Sequence, residues 1–433
     1  MGKDKIVIIP GCSDLNRGDQ ALVWETQRLA EDAGYAGDFY LLSEKNEPVE
    51  QSIEHGLKII HPILEHPSNH FKNKNNIEYS VSLKIKWGLA AIGDFIVSKF
   101  VLWNATRGLA RLFLSKDKQH TLDVIKDSKA VFMKGGGLLQ TYGGLSSTYS
   151  MYFWTYPIQL AHALKKPVFV MPNSFGPFEG PGVKGIARKA LSNCKVVTTR
   201  ETISQDMVKR DLDLDLKNYA DLAFNLPTAD FSKEDIFERF NIPADRKTVA
   251  LTMRPYRFPK AEDPAKAYET FKSEMRSFIR WLYKGGYMPV VVEHTLAVNA
   301  HENDGACIKD VVSELNEKEY RFVTDTSFDC YDLKRIYSFF DYIVGTRFHS
   351  MIFSFGSNVP GIAIAYTGNK SQGIMHDMDL DDYVVEIGDV DAKTLEDKFE
   401  ELLDNEQSVV EKIKSYRKRA QIEREELVQA CKE

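Results

Sequence analysis

Gly345-Thr346-Arg347-Phe348-His349-Ser350 sets a permanent cation two residues from a titratable imidazole. Arginine carries a rigid fork of N–H donors matched to a carboxylate or a phosphate. Histidine is the side chain best suited to exchanging protons near neutrality. The run Pro360-Gly361-Ile362-Ala363-Ile364-Ala365-Tyr366, with Lys370 just beyond it, follows closely. A second group is Lys134-Gly135-Gly136-Gly137-Leu138-Leu139, whose glycines let backbone N–H groups approach an anion or a sugar without interference from a Cβ. Its spacing fits neither GxGxxG nor a Walker loop, and a plain tight turn is the other reading. The third is Asn16-Arg17-Gly18-Asp19-Gln20-Ala21-Leu22, where a first strand hands over to a first helix. Asp19 there is either a site carboxylate or a helix N-cap worth about 1 kcal/mol.

Short β-branched runs that alternate with helical patterns must position these groups. Strands are predicted at 6–9, 39–42, 58–60, 130–133, 168–171 and 196–199, with a weak one at 218–220 ahead of Asp221. After a polar linker, alternation resumes at 249–253, 289–293, 321–323, 342–344 and 362–365. Such alternation implies parallel sheets covered on both faces. The fold class is therefore α/β: two doubly wound, Rossmann-like domains facing across a cleft. The expected boundaries are 1–225, a linker at 226–247, a second domain at 248–390 and C-terminal helices at 391–433. Ligands of open α/β sheets bind beyond the carboxyl ends of the strands. That rule selects 16–19, 135–137, 173–177, Arg200, Arg254, His294, 347–349 and 366–370.

Composition narrows the function classes. The chain has 433 residues, 43% of them hydrophobic and 27% charged, which excludes a disordered or low-complexity protein. A net charge of −6 gives no global basic field, so nucleic acid is not an expected partner, and an anionic ligand needs a local cation cluster. The five cysteines form no CxxC, which argues against a zinc module or a disulfide framework and for a reducing cytoplasm. The apolar run at 6–9, stopped by Pro10, is too short for a signal-peptide core, and Ile6 breaks the myristoylation pattern that Gly2 begins. The most apolar stretch, 83–114, is interrupted by Asp94, Lys99 and Arg107, so it cannot span a membrane. Two readings fit it: a buried helix pair, the commoner fate of such stripes, or a segment resting on a membrane surface. The polar run 69–78 before it reads as an exposed loop.

The set Asn16-x-Gly18-Asp19-x-Ala21, Gly135-Gly136-Gly137, Ser174-Phe175-Gly176-Pro177, Arg200-Glu201, the Asp221 segment and Arg347-Phe348-His349 keeps one order along the chain. With Pro360, Tyr366, Lys370 and Gly373, it resembles the polysaccharide pyruvyltransferase family over nearly the whole length, the stretch 83–114 apart. The resemblance implies a GT-B-like fold and transfer of the enolpyruvyl group of phosphoenolpyruvate (PEP) onto two hydroxyls of a sugar, in a glycan or its precursor. The product is a pyruvate ketal and the leaving group is phosphate. PEP is the donor substrate, and no metal or organic cofactor is expected.

The resemblance also implies roles. Arg347 and His349 contact PEP and are catalytic, with Asp19 a candidate base beside Asp221. Arg200 and Lys370 are further clamps, and Gly135, Gly136, Gly137, Asn16, Ser174, Arg254 and Tyr366 complete the substrate-binding set. The acceptor belongs to the N-terminal domain and PEP to the C-terminal one. A lipid-linked acceptor would suit peripheral membrane contact through 83–114, at the inner membrane face. The alternative is a GT-B glycosyltransferase with a nucleotide-sugar donor, its diphosphate on the glycine-rich loop. Against it, residues 366–380 carry no paired-glutamate motif. A non-catalytic sugar-binding relative would be expected to lack Arg347 and His349.

Overall fold

The computed structural model describes residues 3–66, 80–144, 146–296, 302–366 and 368–432; the run 69–78, expected to be a loop, lies outside them. The chain forms two compact units. One comprises Met1–Asp14, Leu22–Leu222 and Glu423–Glu433, the other Leu15–Ala21 and Ala223–Ile422.

The first unit is built on eight strands: β1 (Lys5–Ile9), β2 (Asp38–Leu42), β3 (Lys58–Ile60), β4 (Ala130–Met133), β5 (Gly136–Tyr142), β6 (Val168–Glu179), β7 (Val196–Thr199) and β8 (Lys217–Asn218). Their order is β3-β2-β1-β4-β6-β7-β8, with β5 against β6. Pairing is parallel, as in Val7 with both Tyr40 and Val131. Strand β1 shows why: Ile6, Val7 and Ile8 are all fully buried, so neither face of the sheet is left to water. Its helices are α1 (Arg17–Asp32), α2 (Glu50–Glu54), α3 (Val81–Leu102), α4 (Asn104–Arg111), α5 (Lys116–Asp127), α6 (Ser146–Ala163), α7 (Val183–Leu191) and α8 (Thr202–Leu212). The first residues of α1, Arg17–Ala21, group with the second unit.

The second unit carries a six-stranded parallel sheet of β9 (Thr248–Thr252), β10 (Met288–Val292), β11 (Arg321–Val323), β12 (Tyr342–Gly345), β13 (Gly361–Ala365) and β14 (Val384–Glu386), ordered β11-β10-β9-β12-β13-β14. Its helices are α9 (Lys233–Arg239), α10 (Pro264–Lys284), α11 (Asp304–Val312), α12 (Cys330–Tyr337), α13 (Phe348–Phe355), α14 (Lys370–Asp377), α15 (Ala392–Asp404) and α16 (Glu406–Ala430), the last from Glu423 onward grouping with the first unit. Both sheets are doubly wound. Strand order reverses between β1 and β4 in one and between β9 and β12 in the other, and those are the points where such sheets bind ligands.

The structure departs from expectation in three places. Gly136 does not belong to an open loop: with φ of 152° it begins β5, which runs beside β6 through two register shifts. Strand β6 continues to Glu179 rather than ending at Met171, so Asn173, Ser174 and Pro177 lie within it. The stretch 83–114 does form a helix pair, yet it is not buried. Ser98, Val101, Ala110 and Leu114 go inside, while Leu89, Trp103 and Phe113 stay 68%, 67% and 77% exposed.

One buried lysine ties a helix to the start of the second unit. Lys334 on α12 is 3% exposed, and its Nζ donates to the carbonyls of Ala223, Phe224 and Leu226 at 3.1, 2.8 and 2.7 Å. Lys334→Met keeps the stem but strands three buried acceptors, so it should cost about 2–4 kcal/mol in urea unfolding. An unchanged midpoint would show that these carbonyls find other donors at no cost.

Candidate active site

In the second unit, β12 ends at Gly345 because its neighbour β9 leaves no room for a side chain. A Cβ there would lie 2.5 Å from the Thr252 hydroxyl oxygen. Thr346 N donates to Thr252 O at 3.0 Å, and the hydroxyls of Thr252 and Ser350 meet at 2.9 Å. These bonds pin the ends of β9 and β12 and set Arg347 in extended backbone just ahead of α13.

Arg347 is buried, and Asp304 holds it two-pronged. Its Nε lies 2.9 and 3.1 Å from the two carboxylate oxygens, and its Nη2 lies 2.6 Å from Oδ1. Nη1 is 3.5 Å from Glu302. Burial works against the charge, but Asp304 and Glu302 outweigh it and hold the guanidinium above its ordinary range. Asp304 is itself fixed at the start of α11, accepting from Thr295 N at 2.9 Å.

His349, half-buried in the first turn of α13, sits against two other segments. Lys370 Nζ, at the start of α14, is 3.2 Å from Nδ1 and 3.3 Å from Nε2. An ammonium can only donate, so this contact is a hydrogen bond when one ring nitrogen is unprotonated. The ring also occupies the space that a side chain at position 18 would need. A Cβ built on Gly18 would lie 2.1 Å from His349 Nδ1. Gly18 is thus required for room, in the first turn of α1.

The segment around Gly18 is anchored to the same unit. Asn16 bridges Thr295, and Leu296 N donates to Leu15 O at 2.8 Å. Asn16 Oδ1 accepts from Asp19 N at 3.3 Å while its Nδ2 donates to Asp19 Oδ2 at 2.8 Å. Asn16, not Asp19, therefore caps the turn. Arg17 is 1% exposed and its Nη2 donates to Thr326 O at 2.9 Å.

His294, just past the end of β10, is 1% exposed, with Nδ1 3.3 Å from the Tyr337 hydroxyl. Burial pushes its pKa well down, and the charges of Arg347, Lys370 and Arg17 add to that, so the ring is neutral. Its Nε2 is buried with no hydrogen-bond partner. Arg254 stacks on Tyr366, the guanidinium carbon 4.3 Å from the ring centre.

The first unit holds the other predicted residues. Arg200 N accepts its place from β6, donating to Asn173 O at 3.1 Å. Its Nε donates to Ser174 Oγ at 2.7 Å and its Nη1 to Asp221 at 2.9 Å, the two charged side chains being 1% and 0% exposed. Asp221, weighed as a base, is taken up by that ion pair. Gly137 admits Arg200: a Cβ there would meet Gln140 Nε2 at 2.8 Å and Arg200 Nη2 at 3.4 Å. Gly135 is held against Pro172 O, 2.8 Å from where its Cβ would stand. Lys134 is 2% exposed, and the buried Asn173 Oδ1 has no hydrogen-bond partner. Glu201 caps α8, accepting from Ser204 N at 2.6 Å and from the Ser204 hydroxyl. Burial pushes its carboxyl up to about 7, against the hydrogen bonds from Ser204 and Ser174 and the charge of Arg200.

The structure thus groups Asn16, Asp19, Arg347, His349 and Lys370 in one unit, with Arg254 and Tyr366 stacked on each other in that unit. It groups Gly135, Gly136, Gly137, Ser174 and Arg200 in the other. Sequence reasoning did not single out Asp304 or Glu302; it selected Arg17 and His294 only as strand-end positions and met Lys134 only at the head of the glycine run. A signal for the first two existed: an arginine just after a buried strand needs a carboxylate, and Glu302 and Asp304 follow the end of β10.

A family model described as Polysaccharide pyruvyl transferase matches residues 16–368. The amylovoran biosynthesis protein AmsJ of Erwinia amylovora is 24% identical over 307 residues, covering 68% of this chain and 70% of that protein. Among solved structures, the UDP-GlcNAc 2-epimerase of Neisseria meningitidis matches with a TM-score of 0.55 at 11% identity, covering 94% of each chain. UGT89C1 of Arabidopsis thaliana in complex with quercetin matches with a TM-score of 0.55 at 10% identity, covering 100% of each chain. The glycosyltransferase SnogD of Streptomyces nogalater matches with a TM-score of 0.51 at 11% identity, covering 99% of this chain and 98% of that one. At such identities the likeness concerns the fold, which is GT-B-like.

Glu201 gives the first unit a pH signature. A carboxyl that binds its proton more tightly folded than unfolded stabilises the fold fully below its usual value of 4.5, and that contribution is lost as pH rises through about 7. The loss amounts to about 3 kcal/mol. Melting temperatures should therefore fall between pH 4.5 and about 7 more steeply for the parent chain than for Glu201→Gln, the window set by that shift. Parallel curves would mean that Glu201 ionises freely in the folded chain.

Proposed function

The chain belongs to the polysaccharide pyruvyl transferase family, and from that premise we propose that it moves the enolpyruvyl group of PEP onto two hydroxyls of a saccharide destined for an exopolysaccharide. One hydroxyl adds to C2 of the enol while C3 gains a proton. The second hydroxyl then displaces phosphate from C2, closing the ketal and releasing its own proton. PEP brings a carboxylate and a phosphate, and a chain with net charge −6 can hold it only where cations are concentrated.

The observation that carries this reading is the crowding of Arg17, Arg347 and Lys370 close enough to one buried imidazole, His294, to depress its pKa, with the His349 imidazole against Lys370. Fixed cations in a site sheltered from water stabilise charge as it gathers on departing phosphate, and they need no reorganisation when it does. Arg347 is pre-set by Asp304, so its fork does not have to be ordered when substrate arrives. When Lys370 donates to one nitrogen of His349, the N–H of the other nitrogen is the proton donor, to C3 or to the leaving phosphate, and the Lys370 proton moves onto the ring so that the imidazole stays neutral. Asp19, half-buried and paired with Asn16, is the candidate base for the sugar hydroxyl. Arg200, Ser174 and the glycines 135–137 are assigned to the acceptor, whose link to a lipid is part of the same reading.

Phosphate release from PEP across a panel of glycosylated acceptors tests the reaction. PEP should raise the melting temperature where UDP- and GDP-sugars do not; the reverse would favour a nucleotide-sugar transferase. His349→Ala should lower kcat by about 10²-fold or more, and a variant that keeps over about a tenth of the parent rate would remove His349 from proton transfer. Arg347→Lys should weaken PEP binding because an ammonium cannot reproduce a two-pronged contact. Gly18→Ala puts a methyl where the imidazole lies. It should therefore copy the turnover loss of His349→Ala while the melting temperature stays close to that of the parent; full activity would show that the ring can move aside freely.

A further inference from the structure

Helix α3 reverses the usual arrangement of a surface helix. One side meets α6: the Ser98 and Tyr152 hydroxyls are 2.8 Å apart, the Phe95 ring lies edge-on to Tyr152 at 4.8 Å, and Val101 is fully buried. The opposite side should be polar, but it carries Ile85, Leu89, Ile92, Ile96, Phe100 and Trp103. Their spacing of four, three, four, four and three aligns them in one stripe at about 100° per residue. All six are between 46% and 68% exposed. Exposed apolar side chains continue with Leu109 on α4 and with Leu112 and Phe113 just after it, at 65%, 75% and 77%. Contiguous apolar surface of this kind marks an interaction site.

The ridge runs into a cavity that says what it meets. A cavity of about 610 Å³ is lined by Lys99, Phe100, Leu102 and Trp103 from α3 and its end, by His162, and by Lys189 from α7. Two of its wall residues, Phe100 and Trp103, belong to the ridge. Neither lysine has an ion-pair partner among the described residues. Lys99 lies over the Tyr152 ring at 4.2 Å, where burial and then the charge of Lys189 lower its pKa. Lys99, over the Tyr152 ring, and Lys189, exposed on the same cavity wall, set two positive charges beside the ridge; together they suit an anion with hydrocarbon next to it. A lipid phosphate supplies both. Among the described residues, no helix is long and apolar enough to cross a membrane, so contact is made from one side.

We propose that α3, α4 and the Lys99–Lys189 cavity form a docking surface for an anionic phospholipid bilayer, with the apolar ridge in the headgroup–acyl boundary and the two ammonium groups on a lipid phosphate. Vesicle binding reads this without substrate, so its outcome is separate from that of the PEP reaction. The full chain should float with vesicles of phosphatidylcholine plus phosphatidylglycerol, less with phosphatidylcholine alone, and less again as salt is raised. Lys99→Gln and Lys189→Gln should each weaken binding to the anionic vesicles about five-fold. Leu89→Asp combined with Trp103→Asp, both at exposed positions, should abolish flotation while leaving the melting temperature unchanged. Three results would overturn the proposal. One is absence of flotation with either vesicle. Another is a dimer in sedimentation that Leu89→Asp dissociates and that ignores vesicles. The third is stabilisation by inorganic phosphate that needs both lysines, with no vesicle binding.

Discussion

A guanidinium taken out of water must find a carboxylate, and the second unit is arranged around that demand. Asp304 meets Arg347 through three close N···O contacts with both groups buried. Removing either partner from such a pair strands a charge, whereas the intact pair fixes the plane of the fork. Because Asp304 starts α11 and also accepts from Thr295 N, one ion pair links the end of β10, the start of α11 and the start of α13. His349 lies two residues beyond Arg347, so its position follows from the same link.

Local positive charge then accumulates in a protein whose overall charge is negative. Arg17, Arg347 and Lys370 all act on His294, which burial already keeps neutral. A neutral imidazole whose Nε2 has no hydrogen-bond partner is an unusual thing to bury. It is tolerated where the surrounding field forbids a second proton. Gly18 completes the arrangement by omission: the first turn of α1 comes close enough to His349 that only hydrogen fits between them. The helix start and the imidazole therefore hold each other in place.

Much of this was legible in the sequence, for physical reasons. Central parallel strands are apolar on both faces, so β1, β4, β9 and β12 announce themselves as unbroken runs, and strand ends point to the ligand positions. Arg347 and His349 stood out because their chemistry is rare in one tetrapeptide. What stayed hidden depends on partners distant in sequence. Asp304 is 43 residues from Arg347, and only the general need of a buried arginine for a carboxylate points to it. Gly18 entered only as a motif position, whereas its cause is a ring more than 300 residues away. Strand β5 was hidden because its two leading glycines, with Gly135 before them, read as a turn. The 83–114 stretch misled in the opposite sense: apolar residues predict burial, and here half of them face outward because, among the described residues, α3 packs on α6 along one side only.

The two units repeat one device and end it differently. Each sheet sets an arginine just past a strand end and buries it against an aspartate, Arg200 with Asp221 and Arg347 with Asp304. Around Arg200 the neighbours are hydroxyls, glycines, the Asn173 side-chain oxygen and a carboxyl raised to about 7. Apart from the buried Lys134, which lies by the same glycines, these groups exchange hydrogen bonds without a full charge, and we assign them to a polyol. Around Arg347 the neighbours are cations and imidazoles, which suit an anion able to accept or lose protons. The reaction proposed above joins a saccharide to a small anionic acid and would draw on both kinds of ground. A diphosphate-sugar donor would also ask for cations, but it would not ask for the His349–Lys370 contact. That pairing matters only where a proton must be delivered beside the charge being held.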